Sequence, residues 1–170
     1  MPSRKSAVLR AATALLAGAL AVGMAGCVSA ERPTDDATRY AAGHHRCVPG
    51  ASVELDGPSH TFHLSGSCGE VVVRGDGVTA RLQRAVSLDV QGQSSTVAVA
   101  DRVGSAVVRG DGVSLSADSV GSVLITGQSN SVTAPALGSV MVQGDHNVIT
   151  THVHPSDYRV SGQDDRLLLQ

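Results

Sequence analysis

Val72-Val73-Arg74-Gly75-Asp76-Gly77-Val78 returns 35 residues later as Val107-Val108-Arg109-Gly110-Asp111-Gly112-Val113, and that recurrence decides the fold. The glycine at its centre belongs to a longer series: Gly57, Gly75, Gly92, Gly110, Gly127, Gly144 and Gly162. The steps are 18, 17, 18, 17, 17 and 18 residues. A short fixed period is the mark of structural coils stacked on one another.

Aligning the coils on this glycine exposes the core pattern. Two residues before it stand Leu55, Val73, Val90, Val108, Ile125, Val142 and Val160, and four before it Val53, Val71, Leu88, Ala106, Val123, Val140 and Tyr158. Five after it stand Phe62, Ala80, Val97, Leu115, Val132, Ile149 and Leu167, and seven after it Leu64, Leu82, Val99, Ala117, Ala134, Thr151 and Leu169. Apolar positions two apart put alternate side chains on one face of a strand, so each coil reads as two short strands. β-branched residues suit such strands. The glycine and the polar residues after it are expected to form the turn between them. Seventeen residues cannot hold two helices. The expected fold is therefore an all-β parallel β-solenoid of about seven coils, a rod of about 34 Å at about 4.8 Å per coil. A β-sandwich of hairpins shares the strand spacing, but it does not explain the positional identity across coils.

Two further columns carry stacking information. Directly after the glycine, Asp76, Gln93, Asp111, Gln128, Asp145 and Gln163 alternate, with Pro58 alone outside the series. Stacked aspartates would repel, and interleaved Gln is expected to space the carboxylates and supply amide donors between them. Three after the glycine, Asn130 and Asn147 are neighbours in the stack and are expected to form a short amide ladder.

The N-terminus gives an address. Arg4, Lys5 and Arg10 precede or open an apolar run from Ala11 to about Met24, which ends in Met24-Ala25-Gly26-Cys27. A basic start, an apolar middle and small residues at the end read as a secretory signal, residues 1–26. The run is short and rich in Ala and Gly for a span, which wants about 20 strongly apolar residues. The last four residues resemble a bacterial lipobox, with Met24 where Leu is usual. That resemblance implies lipidation of Cys27, a palmitate-bearing anchor, and residence on the outer face of the bacterial cytoplasmic membrane. Residues 27–46 lack the repeat and are expected to be a flexible tether, leaving 47–170 as the solenoid domain.

After Cys27 the chain carries ten arginines, no lysine and 15 acidic residues, a net charge near −5. Such a balance argues against nucleic acid or an anionic membrane as an electrostatic partner. Aromatics are limited to Tyr40, Phe62 and Tyr158, so the core has to be built from aliphatic ladders. With Cys27 assigned to lipid, Cys47 and Cys68 form an even pair in an exported chain and are expected to make a disulfide. It would staple the N-terminal end of the stack, where an open edge needs protection.

The run Leu64-Ser65-Gly66-Ser67-Cys68-Gly69-Glu70-Val71-Val72-Val73-Arg74-Gly75, with the Gly-x-x-Asn-x-Val-type units at 127–132 and 144–149, resembles the bacterial lipoproteins grouped as domain of unknown function 3060. The resemblance covers roughly residues 47–150, and Val78 and Val113 stand where that pattern has Asn. It implies export and a repeat fold. It brings no active site.

Candidate chemistry is thin. His44, His45, His60, His63, His146, His152 and His154 could ligate a transition metal, but no zinc-type spacing is present. His152 and His154 are expected to share one strand face, and His44-His45 to lie in the tether. The two Gly-Asp-Gly turns evoke calcium-binding rolls, but those repeat with a different motif and calcium takes six or more oxygens. Arg-Gly-Asp occurs at 74–76 and 109–111, where the repeat itself already sets Gly and Asp. The coil is too short to build a catalytic groove. No metal or cofactor is expected, and the chain is read as no enzyme. The reading is a lipid-anchored envelope protein that is structural or ligand-binding, with cell-wall glycan or an envelope protein as partner. A surface adhesin is the alternative and a polysaccharide-acting enzyme is third. Small polar residues on the outward strand faces, among them Thr79, Arg81, Thr96, Ser114, Ser116, Ser131 and Thr133, motivate the glycan.

Overall fold

The computed structural model describes residues 37–170. The signal (1–26), Cys27 and the tether up to residue 36 lie outside the described residues. What is described is a parallel β-solenoid of about eight turns with about 17-residue spacing, formed by β1 (Thr38–Tyr40), β2 (Gly43–Arg46), β3 (Val53–Leu55), β4 (Thr61–Val73), β5 (Thr79–Val90), β6 (Thr96–Val108), β7 (Ser114–Ile125), β8 (Ser131–Thr133), β9 (Ala136–Val142), β10 (Val148–Thr151), β11 (Asp157–Val160) and β12 (Arg166–Leu169). Each coil lies in register on the one before. Val71 pairs with Leu88, Leu88 with Ala106, Ala106 with Val123, and Val123 with Val140.

The expected pair of strands per coil is present with one difference. In β4 to β7 they run on as a single strand that bends midway. The bend explains the uneven repeat. Leu64 pairs with Leu82 at an offset of 18, whereas Ser67 pairs with Arg84 at 17. The pairing slips the other way between Leu82 and Ala85, and back again between Val99 and Arg102. Every extra residue of an 18-residue coil is thus a bulge at this corner, which leaves both flat faces in register. Further along, the strand breaks at the corner. β8 and β9 are separated by Ala134-Pro135, and Pro155 lies between β10 and β11. Proline has no N–H to give to the ladder, so it is confined to such breaks.

Residues 38–46, expected to belong to the tether, are part of the stack. β1 pairs with β3, and β2 with β4, both parallel. They lack the marker glycine, which is why the repeat did not reveal them. They also cap the core. Tyr40 packs against it and stacks on His45 with ring centroids 4.2 Å apart, and His45 occupies the position paired with buried Leu64.

The four apolar ladders read from the sequence point inward through the stack, and Val53, Leu55, Phe62, Val71, Val73, Val90 and Val97 are fully buried, whereas Val160 and Leu169 of the last coil are exposed. Burying each such side chain contributes about 1.5–3 kcal/mol. A fifth ladder escaped the sequence reading: Cys68, Ala85, Val103, Val120 and Leu137 pair in succession at the corner and are all buried. Bulges shift this ladder between ten and eleven residues after the marker, which smeared its signal.

The marker glycines serve a different purpose from the one expected. None of Gly75, Gly92, Gly110, Gly127, Gly144 and Gly162 has a positive φ. A Cβ on each would run into the backbone of the marker glycine one coil earlier, so the column is glycine because backbones approach too closely for a side chain. The left-handed residue of the turn sits two positions later, at Ser59, Gly77, Ser94, Gly112, Ser129, His146 and Asp164, with φ from 51° to 65°. A second close-approach column, Gly104, Gly121 and Gly138, holds the corner.

Candidate functional site

Cys47 and Cys68 are joined by a disulfide with Cα atoms 5.0 Å apart. Cys68 heads the corner ladder and Cys47 closes it from above, both buried. The Cys47 N–H donates to the Ser65 carbonyl oxygen at 2.9 Å, so the bridge clamps the first bend onto the second. Cys27 lies outside the described residues.

The polar columns of the turn are structural. Asp76, Asp111 and Asp145 each accept, through Oδ1, the backbone N–H of the Gln one coil on, at 2.8, 2.7 and 2.8 Å. The donors between the carboxylates are therefore main-chain groups, not the Gln side-chain amides expected. The asparagine column is likewise stitched to backbone. Asn130 Oδ1 accepts from Val113 N–H at 2.7 Å, Asn147 Oδ1 from Asn130 N–H at 2.9 Å, and Asp165 Oδ1 from Asn147 N–H at 2.8 Å. Ser95 Oγ does the same for Val78 N–H at 3.2 Å. Buried N–H groups at the tight turn have no strand partner, and these side chains satisfy them.

These bonds bear on the Gly-Asp-Gly and Arg-Gly-Asp readings. Both motif aspartates are already accepting, Arg74 Nε lies 3.5 Å from Glu54, and Arg109 Nε lies 3.0 Å from Asp89. Arg84 holds Asp101 at 3.4 Å beside Arg102 and Asp118 in a notch at the corner. Among the described residues, no three of His, Cys, Asp and Glu gather as a metal-ligand group. His152 and His154 lie exposed after β10 has ended, in the corner segment and not on a strand. His44 and His45 are on β2, not in a tether, and His44 stacks on His63 at 4.4 Å. His60 meets Phe62 edge to face at 6.1 Å, and His146 faces Asp164 at 3.4 Å. Burial, and next the Asp165 carboxylate, push the Tyr158 phenol above its ordinary value of 10.

The outward faces carry the repeating surface. Thr61, Thr79, Thr96, Ser114 and Ser131 form one hydroxyl column in register, flanked further along by Ser116 and Thr133. On the other face a second column escaped the sequence reading. Ser87, Ser105, Ser122 and Ser139 pair in succession beside a half-exposed apolar column of Val107, Leu124 and Met141. A depression of about 270 Å³ follows these two columns and ends at the Arg159–Asp157 pair. Its signal was available, because the residues lie five and three before the marker glycine.

No family model, curated protein or solved structure matches the chain.

Proposed function

We propose that this chain is an exported, non-catalytic β-solenoid, anchored by lipid on Cys27 after removal of residues 1–26, that binds a linear cell-envelope glycan along its strand faces. Membership of the lipoprotein group it resembles is part of the same reading. The observation that carries it is the column Ser87, Ser105, Ser122 and Ser139 beside Val107, Leu124 and Met141. Hydroxyls repeat at the strand spacing of about 4.8 Å and can pair with polymer hydroxyls, while the apolar column takes the C–H face of a sugar. The non-catalytic reading is supported by how most of the described carboxylates are used, Glu70 and Asp118 being outside the pairs that follow. Glu54, Asp89, Asp101 and Asp157 face arginines, and Asp76, Asp111 and Asp145 accept backbone N–H groups. A general acid or base needs a carboxyl free to exchange a proton with substrate.

The test is retention of the full chain, in neutral detergent, on insoluble cell-wall glycan. Binding should be lost in Leu124→Asp and kept in Ser116→Asp on the opposite face. Absence of retention, or equal loss in both variants, rejects glycan binding on this face.

A further inference from the structure

Five arginines on the described solenoid face a carboxylate: Arg39, Arg74, Arg84, Arg109 and Arg159. Among the described residues, Arg46, Arg81, Arg102 and Arg166 have no carboxylate within ion-pair distance, and the first two line the same depression of about 520 Å³. His44 and His63 line it too, with Ser65 and Gln83 beside them and no acidic residue in the wall. In a chain of net negative charge, such a wall needs an explanation.

Register builds the cluster. His44 pairs with His63, and His63 with Arg81, so three rungs of one outward column carry imidazole, imidazole and guanidinium. The imidazoles lie face to face, 4.4 Å between centroids and 8° from parallel. Arg46 stands two residues along β2, on the same outward side. Each element packed here contributes to the same sign or none. β2 gives His44 and Arg46, with His45 turned aside to the Ala41 carbonyl oxygen; β4 gives His63; β5 gives Arg81; β6 gives only Ala100. On the other face Glu54 is paired with Arg39 and Arg74, and Asp89 with Arg109.

We propose that this depression is a binding site for a phosphodiester anion. Guanidinium groups present planar forks of donors suited to phosphate oxygens, and each imidazole brings a ring N–H donor to the same wall. The phosphodiester belongs to a membrane headgroup or to a soluble or wall-borne ester; the site chemistry is the same. The inference does not rest on the glycan reading, whose columns lie on the other face of the coils.

The experiment uses the full chain in neutral detergent micelles, with ring resonances of His44 and His63 followed by NMR. The soluble probe is glycerophosphoglycerol, a phosphodiester. The membrane probe is vesicles of phosphatidylcholine with and without phosphatidylglycerol. Both rings should shift on addition of probe. Arg81→Gln should weaken binding about tenfold, and His63→Asn, which removes one of the two stacked rings, should weaken it as well. Arg102→Gln, at an exposed arginine of the corner notch, should leave affinity within about twofold. Response to both probes assigns a general phosphodiester site, and response to vesicles alone assigns a headgroup site. No perturbation of either ring by either probe overturns the proposal. Equal weakening in Arg102→Gln and Arg81→Gln also overturns it, by reducing the effect to diffuse charge.

Discussion

Asn130 offers the sharpest test of how the turn is held. Its side chain is 1% exposed, its Oδ1 accepts the Val113 N–H at 2.7 Å, and its Nδ2 has no partner. Replacing it by Val keeps the volume roughly constant and leaves the buried Val113 N–H unpaired, at a cost of about 1–3 kcal/mol. Removing the unpartnered Nδ2 offsets part of this, so the net loss is expected at about 1.5 kcal/mol. Serine provides the matched control, because Ser95 already does this task one coil-pair earlier. Asn130→Ser is therefore expected within about 0.7 kcal/mol of the parent. The assay is urea unfolding followed by far-UV circular dichroism, with hydrogen exchange at Val113 as the local readout. At about 3 °C per kcal/mol for a chain of this size, Asn130→Val should lower Tm by about 4–5 °C. Equal stability of Asn130→Val and parent would refute the argument. A Ser variant as damaged as the Val variant would show that shape, not the hydrogen bond, governs the position.

Breaking the Cys47–Cys68 bridge, a 21-residue separation, should cost about 3 kcal/mol; the loss should show first as faster hydrogen exchange in β1 to β4, because stacked coils unravel from the end. Gly110→Ala should cost more than about 2 kcal/mol, since its Cβ would meet the Gly92 backbone, whereas Gly112→Ala, at φ 65°, should cost about 1 kcal/mol; paired urea titrations separate the two. Tyr158 has a folded-state value raised above 10. Its contribution is therefore fully present below pH 10 and falls as pH rises from there through the raised value. Urea midpoints measured from about pH 9 to 11 should decline in the parent and stay flatter in Tyr158→Phe; an unchanged slope would exclude this phenol as the cause.

The sequence by itself determined the coil. Inward ladders at fixed distances from Gly75, Gly92 and Gly110 follow from period-two alternation within a 17–18-residue repeat, because a stack forces equivalent positions into equivalent environments. The Cys47–Cys68 pairing was legible for the same reason: two cysteines on neighbouring coils near one end have little else to meet. Only the tertiary structure decided what each polar position does. Asp111 and Asn130 look like exposed turn residues in sequence, yet one accepts from the next coil's backbone and the other is buried under the previous one. Those partners are 17 residues away and depend on rung height, which no local pattern encodes. The same holds for His44, His63 and Arg81. His63 and Arg81 each stand six residues after a marker glycine, but His44 lies on β2, which precedes the repeat, so stacking alone brings all three into one column.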